Sequence, residues 1–191
     1  MKGFARRRGV YVATLDRTER TILSRVVADT ALLLGVRLDV ERPEGDADPL
    51  AAHAWSAEGL EEPSDPALAR LLPSASEDDG VAAEFRRLTE GDLRAQKVER
   101  LRMVWGALLA PGEKIEVQPE RAMDWAAALT DVRLVLAERL DIQTDEDAEA
   151  VYKAANRRRA EDDDVRAALG SLYMVLTWLQ ESLMSVMLKS L

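Results

Sequence analysis

The chain has 191 residues, of which 47% are hydrophobic and 32% charged, with a formal net charge of −9. These values fit one folded domain, spanning 1–191, with enough residues for a real core, and they exclude a disordered chain. The absence of cysteine excludes disulfides, thiolate nucleophiles and Cys-based zinc sites.

Phe4 to Leu15 reads FARRRGVYVATL. Val10, Tyr11 and Val12 are strong strand formers, and Arg8-Gly9 suits a hairpin turn back onto residues 3–6. Asp16 opens a helix, and Glu19 completes a capping-box-like pair. Its inner stripe is expected to be Ile22, Leu23, Val26, Val27, Thr30, Leu33 and Leu34, with Gly35 near its end. Residues 39–64 then break the pattern. Pro43, Gly45, Pro49, Gly59 and Pro63 lie among acids, as in a long, mobile, solvated loop. Asp65-Pro66 caps a short helix that stops at Pro73.

A third helix is expected from Ser76, with Val81, Phe85 and Leu88 turned inward. Thr89 with Asp92 resembles a fresh cap, which predicts a separate helix over 90–109. Pro111-Gly112 turns the chain into a short strand at 115–117, placed to join the hairpin in a three-stranded sheet. Pro119 opens the next helix, with the stripe Trp125, Leu129, Val132, Leu136 and Leu140, and Thr144 caps another. In the last helix Leu169, Leu172, Leu176, Leu179, Leu183 and Val186 alternate at steps of three and four, a helix-packing seam. Tyr173, Val175, Trp178, Met184, Met187 and Leu188 add apolar surface elsewhere on it. Such a helix needs burial in the core or against a partner. The expected fold is mainly α with a minor antiparallel β element at the N-terminus.

Candidate chemistry is sparse. Charge is uneven: residues 1–38 carry eight basic against three acidic side chains, and residues 39–92 four against fifteen. The overall acidity disfavours nucleic acid, but Arg6, Arg7 and Arg8 form a local basic run. A second run, Arg157 to Arg159, is followed at once by Glu161 to Asp164, which suits internal pairing. His53, the single histidine, lies in the acidic segment with no nucleophile elbow. Asp141, Gln143, Asp145, Asp147 and Glu149 alternate like calcium ligands. The sixth and twelfth places of such a loop hold Glu146 and Tyr152, so helix capping explains them better. No Gly-rich phosphate loop occurs, and neither metal nor cofactor is expected. Residues 169–188 match a membrane span in length, but Gln180 and Glu181 argue against one. Asp131 and Arg133 stand two apart on one helix and so face different ways. Arg133 near the apolar stripe calls for an acid, and Glu181 is the candidate.

Four stretches carry a family resemblance. They are Arg70-Leu71-Leu72-Pro73; residues 84–90 (EFRRLTE) leading to Leu93, Arg94 and Lys97; residues 125–136 (WAAALTDVRLVL) continuing to Arg139 and Ile142; and residues 173–181 (YMVLTWLQE). Together they resemble an actinobacterial family known as domain of unknown function number two thousand and seventeen, over essentially the whole chain. The resemblance implies no activity, cofactor or catalytic residue. It implies genes often found beside that of the Clp protease adaptor. The expected function is a non-enzymatic cytoplasmic interaction or regulatory protein linked to regulated proteolysis. Its partner would be another protein, or a second copy if apolar surface exceeds what one domain covers. The alternative is a transcriptional regulator that contacts nucleic acid through Arg6, Arg7 and Arg8.

Overall fold

Arg8 and Gly9 both adopt positive φ, 51° and 91°, as a two-residue hairpin turn of the primed type requires. They join β1 (Lys2–Arg7) to β2 (Val10–Thr14). β3 (Lys114–Val117) pairs antiparallel with the other edge of β2, Tyr11 lying opposite Val117. This computed structural model describes residues 1–39, 63–156 and 165–189. The segment 39–64, apart from Asp39, Pro63 and Ser64, lies outside the described residues together with His53, and so does the run from Arg157 to Asp164.

Local chemistry sets the helix starts. Asp16 and Glu19 form the reciprocal capping box of α1 (Arg17–Leu33). Asp65 caps α2 (Pro66–Leu71), whose first residue is proline. Asp78 caps α3 (Asp79–Leu109). A 3-10 turn at Pro119–Arg121 leads into α4 (Ala122–Arg139), followed by α5 (Asp145–Asn156) and α6 (Val165–Leu188). The described residues are 70% helical, so the fold is mainly α with a minor three-stranded sheet.

The continuous α3 corrects the expectation of two helices. Thr89 does not cap; its hydroxyl donates to the Phe85 carbonyl 2.9 Å away, inside an unbroken helix. α1 runs antiparallel along the C-terminal half of α3. Arg20 reaches the carbonyls of Ala107 and Leu108, while Arg94 reaches the carbonyl of Leu34. At 1.5 Å per residue α3 is about 46 Å long and α1 about 26 Å. The first turns of α3 therefore overhang the end of α1. Val81, Phe85 and Leu88, expected inward, are 57%, 51% and 62% exposed. Val98, Leu101, Val104 and Leu108 form the buried face instead. In α1, Leu23, Val27, Thr30 and Leu34 are buried as expected, but Ile22 is exposed.

The seam of α6 is buried at Leu176, Leu179, Leu183 and Val186 and only partly at Leu169 and Leu172. It packs on α4, α5 and β1. Contact with β1 is close: the Phe4 N–H donates to Ser182 Oγ at 2.9 Å, and a Cβ on Gly3 would lie 2.8 Å from that of Ser182. Phe4 then meets Trp125 of α4 edge-on, ring centroids 6.0 Å apart. The rest of α6 is less covered, and Trp178 and Leu188 are exposed.

Candidate functional site

α4, α5 and α6 converge on a two-lobed cleft. Asp141, with φ of 57°, turns the chain after α4, and Thr144 then caps α5. Its Oγ1 accepts from the Asp147 N–H at 3.2 Å. The Asp147 carboxylate accepts from the N–H groups of Gln143 and Thr144 at 3.0 and 2.9 Å. These backbone donors, Gln143 first, hold the Asp147 carboxyl below its ordinary range. Asp147 thus serves the helix start, with Asp145 and Glu146 beside it in the first turn, while Glu149 pairs with Lys153 at 2.9 Å. Among the described residues no cluster of three or more acids or histidines is placed to hold a metal ion.

The inner lobe, about 450 Å³, lies between α4 and the turn into α5, lined by Arg70, Thr130, Arg133, Leu134, Gln143 and Thr144 among others. The outer lobe is a groove of about 870 Å³ between α5 and α6, lined by Tyr152, Met174, Val175 and Trp178, with Glu149 and Glu181 on it. Arg133, Asp145, Ala148 and Tyr173 line both lobes.

Arg133 is fixed in place with donors to spare. Its Nη1 donates to Gln180 Oε1 at 2.8 Å and its Nη2 to the Tyr173 hydroxyl at 3.4 Å. The guanidinium carbon lies 5.2 Å from the Tyr173 ring centroid, within cation–π range. Gln180 is itself oriented, because its amide nitrogen donates to Thr130 Oγ1 at 2.7 Å and to the Ala126 carbonyl at 3.2 Å. The amide oxygen is thereby left facing Arg133. The Arg133 Nε is buried and has no hydrogen-bond partner, and among the described residues no acid forms an ion pair with Arg133. Arg70, across the inner lobe, is already neutralised by Glu138 at 2.6 Å and bonded to Gln143 Oε1 at 2.7 Å.

Asp131 belongs to another contact. It is buried, and its Oδ1 accepts from Lys97 Nζ of α3 at 2.5 Å. Burial pushes its carboxyl above the ordinary value, against the opposing pull of Lys97. Its Oδ2 is buried without a partner.

The family model for a Domain of unknown function (DUF2017) matches residues 1–187. The chain belongs to this family. No curated protein and no solved structure matches it. In this DUF2017 chain the residues singled out from sequence separate into three places. Asp131 pairs with Lys97 between α3 and α4. Arg133 enters the cleft, where its partners on α6 are Gln180 and Tyr173 rather than Glu181. Glu181 is exposed and lies on the outer lobe. Arg6, Arg7 and Arg8 sit exposed at the hairpin tip, outside the cleft lining and in no ion pair among the described residues. Lys97, Tyr173 and Gln180 went unassigned in the sequence, although all three stand in the family-resembling stretches. Among the described residues no helix is long and apolar enough to cross a membrane.

Proposed function

We propose that this DUF2017 protein is a non-enzymatic interaction or regulatory protein of the cytoplasm that docks a segment of a partner protein in the cleft between α4, α5 and α6. The gene neighbourhood attached to the family resemblance suggests regulated proteolysis as the setting. One observation carries the docking reading. Tyr152 and Trp178, 55% and 44% exposed, line a groove that leads to an arginine with no acid partner among the described residues. Exposed aromatics beside an arginine are the residue types that concentrate binding energy at interfaces. The lining offers a guanidinium, two phenols, an indole and aliphatic surface, a set suited to recognition, with the carboxylates of Asp145, Glu149 and Glu181 on the groove.

The test uses the full chain, immobilised and challenged with a pool of random decapeptides. The wild type is expected to retain a subset, and Tyr152→Glu with Trp178→Ser to lose it while unfolding at a similar temperature. Retention unchanged in the double variant contradicts docking in this groove. The alternative, nucleic-acid contact, rests on the three exposed arginines at the hairpin tip. It requires salt-sensitive retention of duplex DNA that disappears when Arg6, Arg7 and Arg8 become alanine.

A further inference from the structure

We propose that the cleft receives the C-terminal end of a partner chain, with the terminal carboxylate on Arg133 and the last, apolar side chain against Tyr152 and Trp178. This inference rests on the docking reading above and names the chemistry of the docked segment.

Three observations support a carboxylate at Arg133. First, the guanidinium is already positioned: Gln180 holds Nη1, Thr130 and Ala126 hold Gln180, and the Tyr173 ring lies beneath. A ligand would not have to order it, which removes much of the entropic cost of binding. Second, its donor inventory is unfilled. Two side-chain acceptors, one of them at 3.4 Å, leave one N–H on each Nη for an incoming acceptor, while the Nε–H is buried. Planar guanidinium matches planar carboxylate, giving paired and charge-assisted hydrogen bonds. Third, the other arginine of the inner lobe is not available, since Glu138 already neutralises Arg70. Of the two arginines in the lining, Arg133 is therefore the one without an ion pair among the described residues, and it suits one negative charge.

The surroundings favour a carboxylate over a phosphate. Asp145, Glu149 and Glu181 line the groove, and Glu149 is paired with Lys153 at 2.9 Å. Asp145 and Glu181 have no ion pair among the described residues. A multiply charged group would be repelled by them, whereas basic residues upstream of the terminus would be attracted. Position in the chain follows from the cleft. The inner lobe beyond Arg133 is lined by Arg70 and by Ile142, Gln143 and Thr144 of the turn into α5, and a segment that enters along the α5–α6 groove and stops in that lobe is a chain end.

The experiment compares two pools of random decapeptides on the immobilised full chain, one with free C-termini and one amidated. The free pool is expected to be retained about tenfold better, enriched in Leu, Ile, Val, Phe or Met at the last position and in Lys or Arg upstream. Arg133→Lys, which keeps the charge and removes the planar fork, and Arg133→Gln should both bring the free pool down to the amidated level. Should either variant fail to fold, the contrast between pools on the wild type decides alone. Equal retention of both pools overturns the inference, as does free-pool retention that survives both folded variants. If both pools bind equally and both are lost in the Tyr152→Glu, Trp178→Ser variant, the docking groove stands and the carboxylate site falls. If neither pool binds, both fall.

Discussion

Arg20 and Arg133 have the same chemistry, and neither has an acid partner among the described residues, yet the regions around them have opposite characters. Arg20 of α1 is buried, and its Nε and Nη groups donate to the carbonyls of Ala107, Leu108, Ala110 and Gly112. Those carbonyls end α3 or follow it and have few intrahelical partners. One guanidinium satisfies them together, and four of its five N–H donors are used in doing so. Arg133 is also fixed, but by only two side-chain acceptors, and it opens onto two lobes of a cleft. The difference teaches that an unpaired arginine is not in itself a sign of binding. A count of which donors are already used separates the structural guanidinium from the receptive one.

The sharpest stability contrast lies at Lys97, on the closed side. Lys97→Met leaves the buried Asp131 carboxylate without its cation, an arrangement that typically costs about 3–5 kcal/mol. Urea unfolding should show that loss, and a change near zero would mean the pair is not held as described. Next comes Arg20→Met, expected to cost about 2–4 kcal/mol because charge-assisted hydrogen bonds to buried carbonyls are lost. Its peptide retention should remain normal once the protein is folded. Arg133→Gln should reverse this pattern, with a stability change of about 1 kcal/mol or less and retention of free-terminus peptides reduced to the amidated level. Equal stability losses at Arg20 and Arg133 would erase the distinction between the two regions.

Acid titration gives a smaller effect with a definite sign. Asp65 is held below its ordinary value by Arg139 and by the Ala67 N–H, and Asp147 by the Gln143 and Thr144 N–H groups. Their contribution is present above the ordinary carboxylate range and lost as pH falls through the lowered folded values. Asp131 runs the other way. Its raised folded value gives a contribution present below the ordinary aspartate value and lost as pH rises through the raised one. Relative to wild type, an Asp131→Asn variant should therefore gain stability as pH rises through that window. A stability difference that is flat with pH contradicts the raised value.

Much of the fold was legible because its signals are local. Arg8-Gly9 specifies a turn, Asp16 with Glu19 a helix start, and Asp65-Pro66 and Thr144 two more, each through backbone groups within a few residues. The long α3 was not legible, because Thr89 suits a cap or a helix interior and only the surrounding helix decides. The exposure of Val81, Phe85 and Leu88 depends on where α1 ends alongside α3, which no periodicity encodes. The cleft failed for the same reason. Lys97 meets Asp131 across 34 positions and Gln180 meets Arg133 across 47. Local spacing found Asp131 and Arg133 but assigned the open partner to Glu181, one residue beyond the amide that faces Arg133.

The most direct test reads the two guanidiniums side by side. Nitrogen-15 spectra of the arginine Nε–H groups in the full chain, assigned with Arg20→Lys and Arg133→Lys, would be followed while N-acetyl-leucine is added as a carboxylate probe, with its amide as control. The expected result is a saturable shift of the Arg133 signal with the acid alone, while the Arg20 signal stays in place. An Arg133 signal that does not move, or that moves equally with the amide, would contradict an open carboxylate site.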